Sequence, residues 1–178
     1  MPFAHDTAQA LQSATELVNS AVEPDTLTTR EELADLLVRH DYTGRVDGTA
    51  AELEAVRGLR AVLRALLVAP RDEAVERVNG LLEQHRALPR LVRHGGHDWH
   101  IHAVQADAPL AERIVVETAM AMVDVIRADE HARLSVCQDA DCTGVVLDLS
   151  RNRSRRFCST ACGNRNAVAA YRRRQAEA

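Results

Sequence analysis

The 178-residue sequence contains no lysine; all 22 of its basic side chains are arginine. So complete a bias belongs to the coding composition, and arginine in place of lysine carries no functional information at any single position. Aromatic residues make up only 3% of the chain, too few for a surface that stacks on single-stranded bases. No apolar run approaches the roughly 18 residues of a membrane helix. The opening Met-Pro-Phe-Ala-His-Asp has neither the basic nor the apolar stretch of an export signal. A cytoplasmic protein with no membrane partner is therefore expected. No nucleophile–base pair, phosphate loop or paired carboxylates at helical spacing can be found, which argues against an enzyme. The first 136 residues also lack cysteine.

All four cysteines crowd the C-terminal region, at 137, 142, 158 and 162, in the pattern C-x4-C-x15-C-x3-C. Two close pairs joined by a short loop suit a tetrahedral Zn²⁺ site, each pair taking one edge of the ion. An open catalytic zinc would have three protein ligands and a water, whereas Cys137, Cys142, Cys158 and Cys162 fill the shell. One structural Zn²⁺ per chain is the expectation. Two disulfides are the competing reading, but they belong to small secreted domains.

The residues within this pattern also carry a resemblance. Asp148-Leu-Ser-Arg-Asn-Arg-Ser-Arg-Arg-Phe-Cys158, followed by Cys162-Gly-Asn-Arg165, resembles the CGNR zinc finger of bacterial proteins over about residues 134–174. Upstream, Glu16-Leu-Val-Asn-Ser20, the helix from Leu53 to Leu67 and the start at Ala108-Pro-Leu-Ala-Glu-Arg113 are similar to the helical ABATE domain. The resemblance implies a family proposed to contain stress-induced transcriptional regulators.

Periodicity predicts five helices before the finger. The first covers 8–20, and Pro24-Asp25 breaks it. Thr28 and Thr29 precede Glu31 and Glu32 in two overlapping capping boxes for the second. Thr49-x-x-Glu52 opens the third, about 49–69, which Pro70 ends. Its arginines, Arg57, Arg60 and Arg64, are expected to form a solvated face. The fourth runs over 71–87. Next, 90–104 reads as a β-hairpin turning at Gly95-Gly96, with Trp99, Ile101 and Ala103 on one face and His100 and His102 on the other. His94, His97, His100 and His102 invite a second metal, but no carboxylate or cysteine cluster accompanies them beyond Asp98, so no second tight site is expected. Asp107 should cap a fifth, central helix with Pro109 in its first turn.

Beyond Leu134-Ser-Val136 the finger reads as a knuckle, a strand at Val145 to Leu149, a return strand at Arg155 to Phe157, and a last helix capped by Ser159 or Thr160. Knuckle, hairpin and helix describe a treble-clef-like module. The fold class is thus mostly α: a helical domain with one β-hairpin over 1–133, and a zinc finger over 134–178.

Charge divides along the same line. Residues 1–136 hold 14 arginines against 22 carboxylates, and 137–178 hold 8 against 4. An acidic body and a basic end suggest a nucleic-acid partner. Arg151, Arg153, Arg155 and Arg156 crowd the hairpin. Arg165, Arg172, Arg173 and Arg174 lie on the last helix, with Asn164 and Asn166 beside them. Arginine matches phosphate and guanine edges, and asparagine can pair with adenine. Against this, Arg155 or Arg156 could pair with Asp148, and Asn164 and Arg165 of the CGNR motif could equally be structural. The leading expectation is a regulator whose finger contacts double-stranded DNA and whose helical domain dimerises, as a homodimer, or senses an unidentified small-molecule signal. The alternative is a zinc-stabilised module for protein or RNA interaction.

Overall fold

The structure is a computed structural model that describes residues 3–93 and 98–176. The expected Gly95-Gly96 turn, with His94 and His97, lies outside the described residues. The order of elements is α1 (His5–Asn19), α2 (Arg30–Arg39), α3 (Ala50–Leu67), α4 (Arg71–Gln84), β1 (Arg90–Val92), β2 (His100–His102), α5 (Leu110–Arg127), a 3₁₀ turn (His131–Arg133), β3 (Leu134–Val136), β4 (Val145–Leu147) and α6 (Thr160–Ala176). None of the described helices is long and apolar enough to cross a membrane.

The helices start where local chemistry directs. Thr29 caps α2 in a complete capping box with Glu32, whose carboxylate also takes the Thr28 N–H and hydroxyl. The Thr49 hydroxyl accepts from the Glu52 N–H to open α3, and the Glu52 carboxylate reaches back to the N–H groups of Asp47 and Gly48. The start of α5 differs from expectation. Pro109 itself is the N-cap, with no side-chain cap, and Asp107 stands outside the helix. The fixed φ of proline already sets the entry angle there.

α5 is the centre of the body and packs against α1, α3 and α4. Leu110, Ile114, Val115, Val116, Met122 and Val125 of α5 meet Leu11, Leu17 and Val18 of α1 and Leu63, Leu66 and Leu67 of α3 in one core. The β1–β2 hairpin pairs Leu91 with Ile101 and Val92 with His100. Its expected faces are only partly realised: Trp99 and Ile101 are exposed, whereas Ala103, beyond the end of the strand, is buried. The imidazoles of His100 and His102 line a cavity against α1 and α5.

The expected solvated face of α3 is not one. Arg60 grips both carboxylate oxygens of Asp25 at 2.9 Å, Arg57 reaches the same carboxylate at 3.2 Å, and Arg64 donates to the Thr143 carbonyl in the finger. Periodicity shows that these residues point away from the core, but not that another segment lies there.

A second correction concerns the finger's hairpin. The partner of Val145–Leu147 is Leu134–Val136, before the knuckle, and not Arg155–Phe157. The later segment runs beside the knuckle through one bond, from the Gln138 N–H to the Arg156 carbonyl. The alternation of β4 then works on two sides at once. Leu134, Val145 and Leu147 belong to the body core, while Val146 joins the cysteine cluster with Phe157 and Val22. Successive side chains of a strand point to opposite faces, so β4 is a wall shared by both.

Candidate metal centre

The four cysteine sulfurs lie within 4.8 Å of one another, one ligand atom from each residue. The Sγ atoms of Cys142 and Cys158 are 3.5 Å apart, and those of Cys158 and Cys162 are 3.8 Å apart. An ion with Zn–S bonds of about 2.3 Å in a tetrahedron needs edges of about 3.8 Å. The donors thus fit one structural zinc, and no pair approaches the roughly 2.05 Å of a disulfide.

Local structure delivers each sulfur. Cys137 directly follows β3 and Cys142 closes the knuckle, where the Cys142 N–H donates to the Asp139 carbonyl. Cys158 precedes α6, and Cys162 lies in its first turn, its N–H donating to the Ser159 hydroxyl at 3.2 Å. Ser159 is therefore the capping residue. Backbone donors aim at the sulfurs: Gly144 N–H to Cys142 and Cys158 N–H to Cys137, both at 3.4 Å. A Cβ at Gly144 would come within 2.8 Å of the Cys158 sulfur, so only glycine fits there. Burial, then the neighbouring thiols, push the Cys158 thiol well above its ordinary range. Burial is the largest influence on the Cys137 thiol too and opposes its ionisation, but the Cys158 and Asp139 N–H groups and the neighbouring thiols together outweigh it, and the thiol sits below its usual value. Thiols packed this closely cannot all ionise without a cation, which is the chemistry a zinc ion supplies.

Around the sulfurs lies a polar frame. Arg165 donates to the buried Asp139 carboxylate through Nε at 3.0 Å and to the Cys162 sulfur at 3.2 Å, tying α6 to the knuckle. Asp148, also buried, accepts from the Ser150 N–H at 2.8 Å and the Arg155 N–H at 2.6 Å. The Arg155 guanidinium turns inward onto the carbonyls of Phe157 and Cys158. Arg153 pairs with Glu130 at 2.8 Å, and Asn166 donates to the Cys162 carbonyl at 3.0 Å. Among the ten candidate contact residues, Arg151, Arg156, Asn164, Arg172, Arg173 and Arg174 are exposed and make no such side-chain bond within the described residues.

Several residues that hold this centre to the body escaped the sequence reading. The Asn19 side chain, at the end of α1, accepts from the Val145 N–H at 2.6 Å and donates to its carbonyl at 2.8 Å, as a neighbouring strand would. Arg133, 6% exposed, links Glu130 to the carbonyls of Asp148 and Ser150. The signal for Asn19 was its place in Glu16-Leu-Val-Asn-Ser20; nothing local marked Arg133.

Two family models match the chain. Residues 133–175 match the CGNR zinc finger, and residues 11–129 match ABATE, described as a putative stress-induced transcription regulator. No curated protein matches the chain.

Proposed function

Because the chain belongs to the ABATE family, with a CGNR finger at its C-terminal end, we propose that it is a DNA-binding transcriptional regulator. The finger meets duplex DNA mainly through phosphates, and the helical body senses a signal or pairs two copies. The observation that carries this reading is α6. Its first turn is anchored in the cysteine cluster, while Cys162 is its only buried residue. A helix with so little apolar contact needs an outside partner or a fixed end to persist, and its basic end is Arg172-Arg173-Arg174.

The free guanidinium groups of Arg151, Arg156, Arg172, Arg173 and Arg174 are the proposed phosphate contacts, with Asn164 beside them. Arg153, Arg155, Arg165 and Asn166 serve the same surface by holding its frame. About three to five phosphate contacts give a salt slope of only about −3 to −5, so one finger binds weakly. Two fingers brought together by the bodies of a homodimer would gain through effective concentration.

One observation favours a protein partner instead. Val168 and Tyr171, three residues apart on α6, are 49% and 57% exposed. Pull-down of genomic fragments by the intact zinc-loaded protein, followed by affinity measurement at several salt concentrations, separates the readings. Enriched duplex sites with a steep salt dependence are expected. Affinity indifferent to salt, or to deletion of 134–178, rejects DNA binding in favour of the protein-interaction module.

A further inference from the structure

The hairpin strand β2, the start of α1, the segment after α2 and the first half of α5 enclose a cavity of about 450 Å³. The sequence offers no carboxylate cluster next to the hairpin histidines, but the fold brings carboxylates to them from elsewhere. His100 and His102 alternate along β2 and so face the same way. Their Nε2 atoms are 3.1 Å apart. The Nδ1 of His100 lies 2.8 Å from the Asp98 carbonyl oxygen. That oxygen can only accept, so Nδ1 carries the proton and Nε2 of a neutral ring presents its lone pair. Histidines that bind metals are held in this way, with the far nitrogen donating to a carbonyl. Two nitrogens on one ion, each about 2.0–2.1 Å from it, are about 3.0–3.4 Å from each other at angles of about 95–110°.

The third group is Glu117 of α5, which lines the same cavity and makes no hydrogen bond to any described residue. The charge of the lining also has a sign. Asp6, Asp41 and Asp98 stand against one arginine, Arg113, whose guanidinium is turned onto the carbonyls of Thr43, Arg45 and Ala108. With neutral imidazoles such a lining draws a cation and repels an anion.

The geometry points to a second metal site in this cavity: a divalent transition-metal ion of the zinc, nickel and cobalt class, held by Nε2 of His100, Nε2 of His102 and the Glu117 carboxylate. Imidazole nitrogens select such ions over magnesium or calcium. The carboxylate must close in by a change of rotamer, because the cysteines are the only group of three or more such ligands within 4.8 Å among the described residues. Three protein ligands leave the ion a position open to water or a small molecule. The site gives the sensing body of the proposed regulator a chemical class of signal, and rests on that reading only for its role, not for its binding.

The test is calorimetric titration of Zn²⁺ into untagged full-length protein whose cysteine site is already filled. One further equivalent per chain is expected for the wild type. His100→Ala and His102→Ala should each abolish it, and Glu117→Gln should weaken it tenfold or more. The first zinc and the far-ultraviolet circular dichroism, unchanged in all three, show that the variants are folded. A wild type that takes no second equivalent overturns the site and reduces the 3.1 Å contact to a hydrogen bond between the rings. So does a second equivalent indifferent to both histidine substitutions. Unchanged affinity in Glu117→Gln removes that residue as a ligand. None of these outcomes involves DNA, so failure here leaves the reading of the finger standing.

Discussion

α5 and α6 are almost the same length, 18 and 17 residues, yet α5 buries ten side chains and α6 buries one. Their compositions explain the difference. α5 carries Leu110, Ile114, Val115, Val116, Met122 and Val125 on more than half its circumference, and other helices cover it. α6 carries arginine, asparagine and alanine, and only its first turn is held, by Cys162 and the Arg165–Asp139 bridge. One helix is stable because it displaces water from apolar surface, the other because one end is tied to a cluster of sulfurs. The comparison teaches where function can sit: a helix already covered has no face left for a partner.

The largest break in the comparison should come from the sulfurs. Cys142→Ser should reduce zinc content from one per chain to none and melt α6, because apparent zinc affinities of such modules amount to about 10–16 kcal/mol. Elemental analysis with circular dichroism reads both, and the helices of the body should survive. Retention of zinc, or of all helix signal, would contradict a four-cysteine centre.

The shared wall tests how separate the two parts are. Leu147→Ala removes a β4 side chain from the body core and should cost about 2–4 kcal/mol in urea unfolding. If the finger were a tethered bead, the same change would leave the main transition in place. Asn19→Ala should cost less, about 1–3 kcal/mol, by leaving the Val145 N–H and carbonyl without partners. It should also speed zinc loss to a chelator.

Smaller again are the charge effects. Arg172→Ala or Arg173→Ala should each flatten the salt slope of DNA binding by about one unit and leave stability unchanged. Arg165→Ala should instead loosen the knuckle and lower zinc retention, since its guanidinium is spent on Asp139 and Cys162. On the body, Arg60 hydrogen bonds hold the Asp25 carboxyl near pH 2, below its ordinary 3.8. A depressed acid contributes stability above the unfolded value, and that contribution is lost as pH falls through the folded one. Asp25→Asn should therefore cost about 1 kcal/mol or less at pH 7, after solvent screening, and progressively less toward pH 2. Parallel denaturant curves of the two proteins show the difference shrinking.

The cysteine cluster was the most legible part of the molecule, because a spacing of paired cysteines is a local property and no tertiary contact can alter it. Helix starts were legible for the same reason at Thr29 and Thr49, where cap and acceptor are three residues apart. Asp107 misled because a good capping side chain stood two residues ahead of a proline that needed none. The β3–β4 pairing was missed because Val145–Leu147 could be paired with either flanking segment, and strand propensity says nothing about the choice.

What the sequence determined by itself is therefore whatever depends on neighbours a few residues apart: the cysteine set, the amphipathic faces of α1, α3 and α5, and the basic end of the chain. Only the tertiary structure decided which arginines are free, since Arg60, Arg64 and Arg165 find acceptors 35, 79 and 26 residues away. It alone brought Glu117 into the cavity that His100 and His102 line, and it alone made β4 a wall between core and cysteines. The physical reason is that a hydrogen bond or a ligand shell acts over about 3 Å of space, and distance along the chain does not measure that.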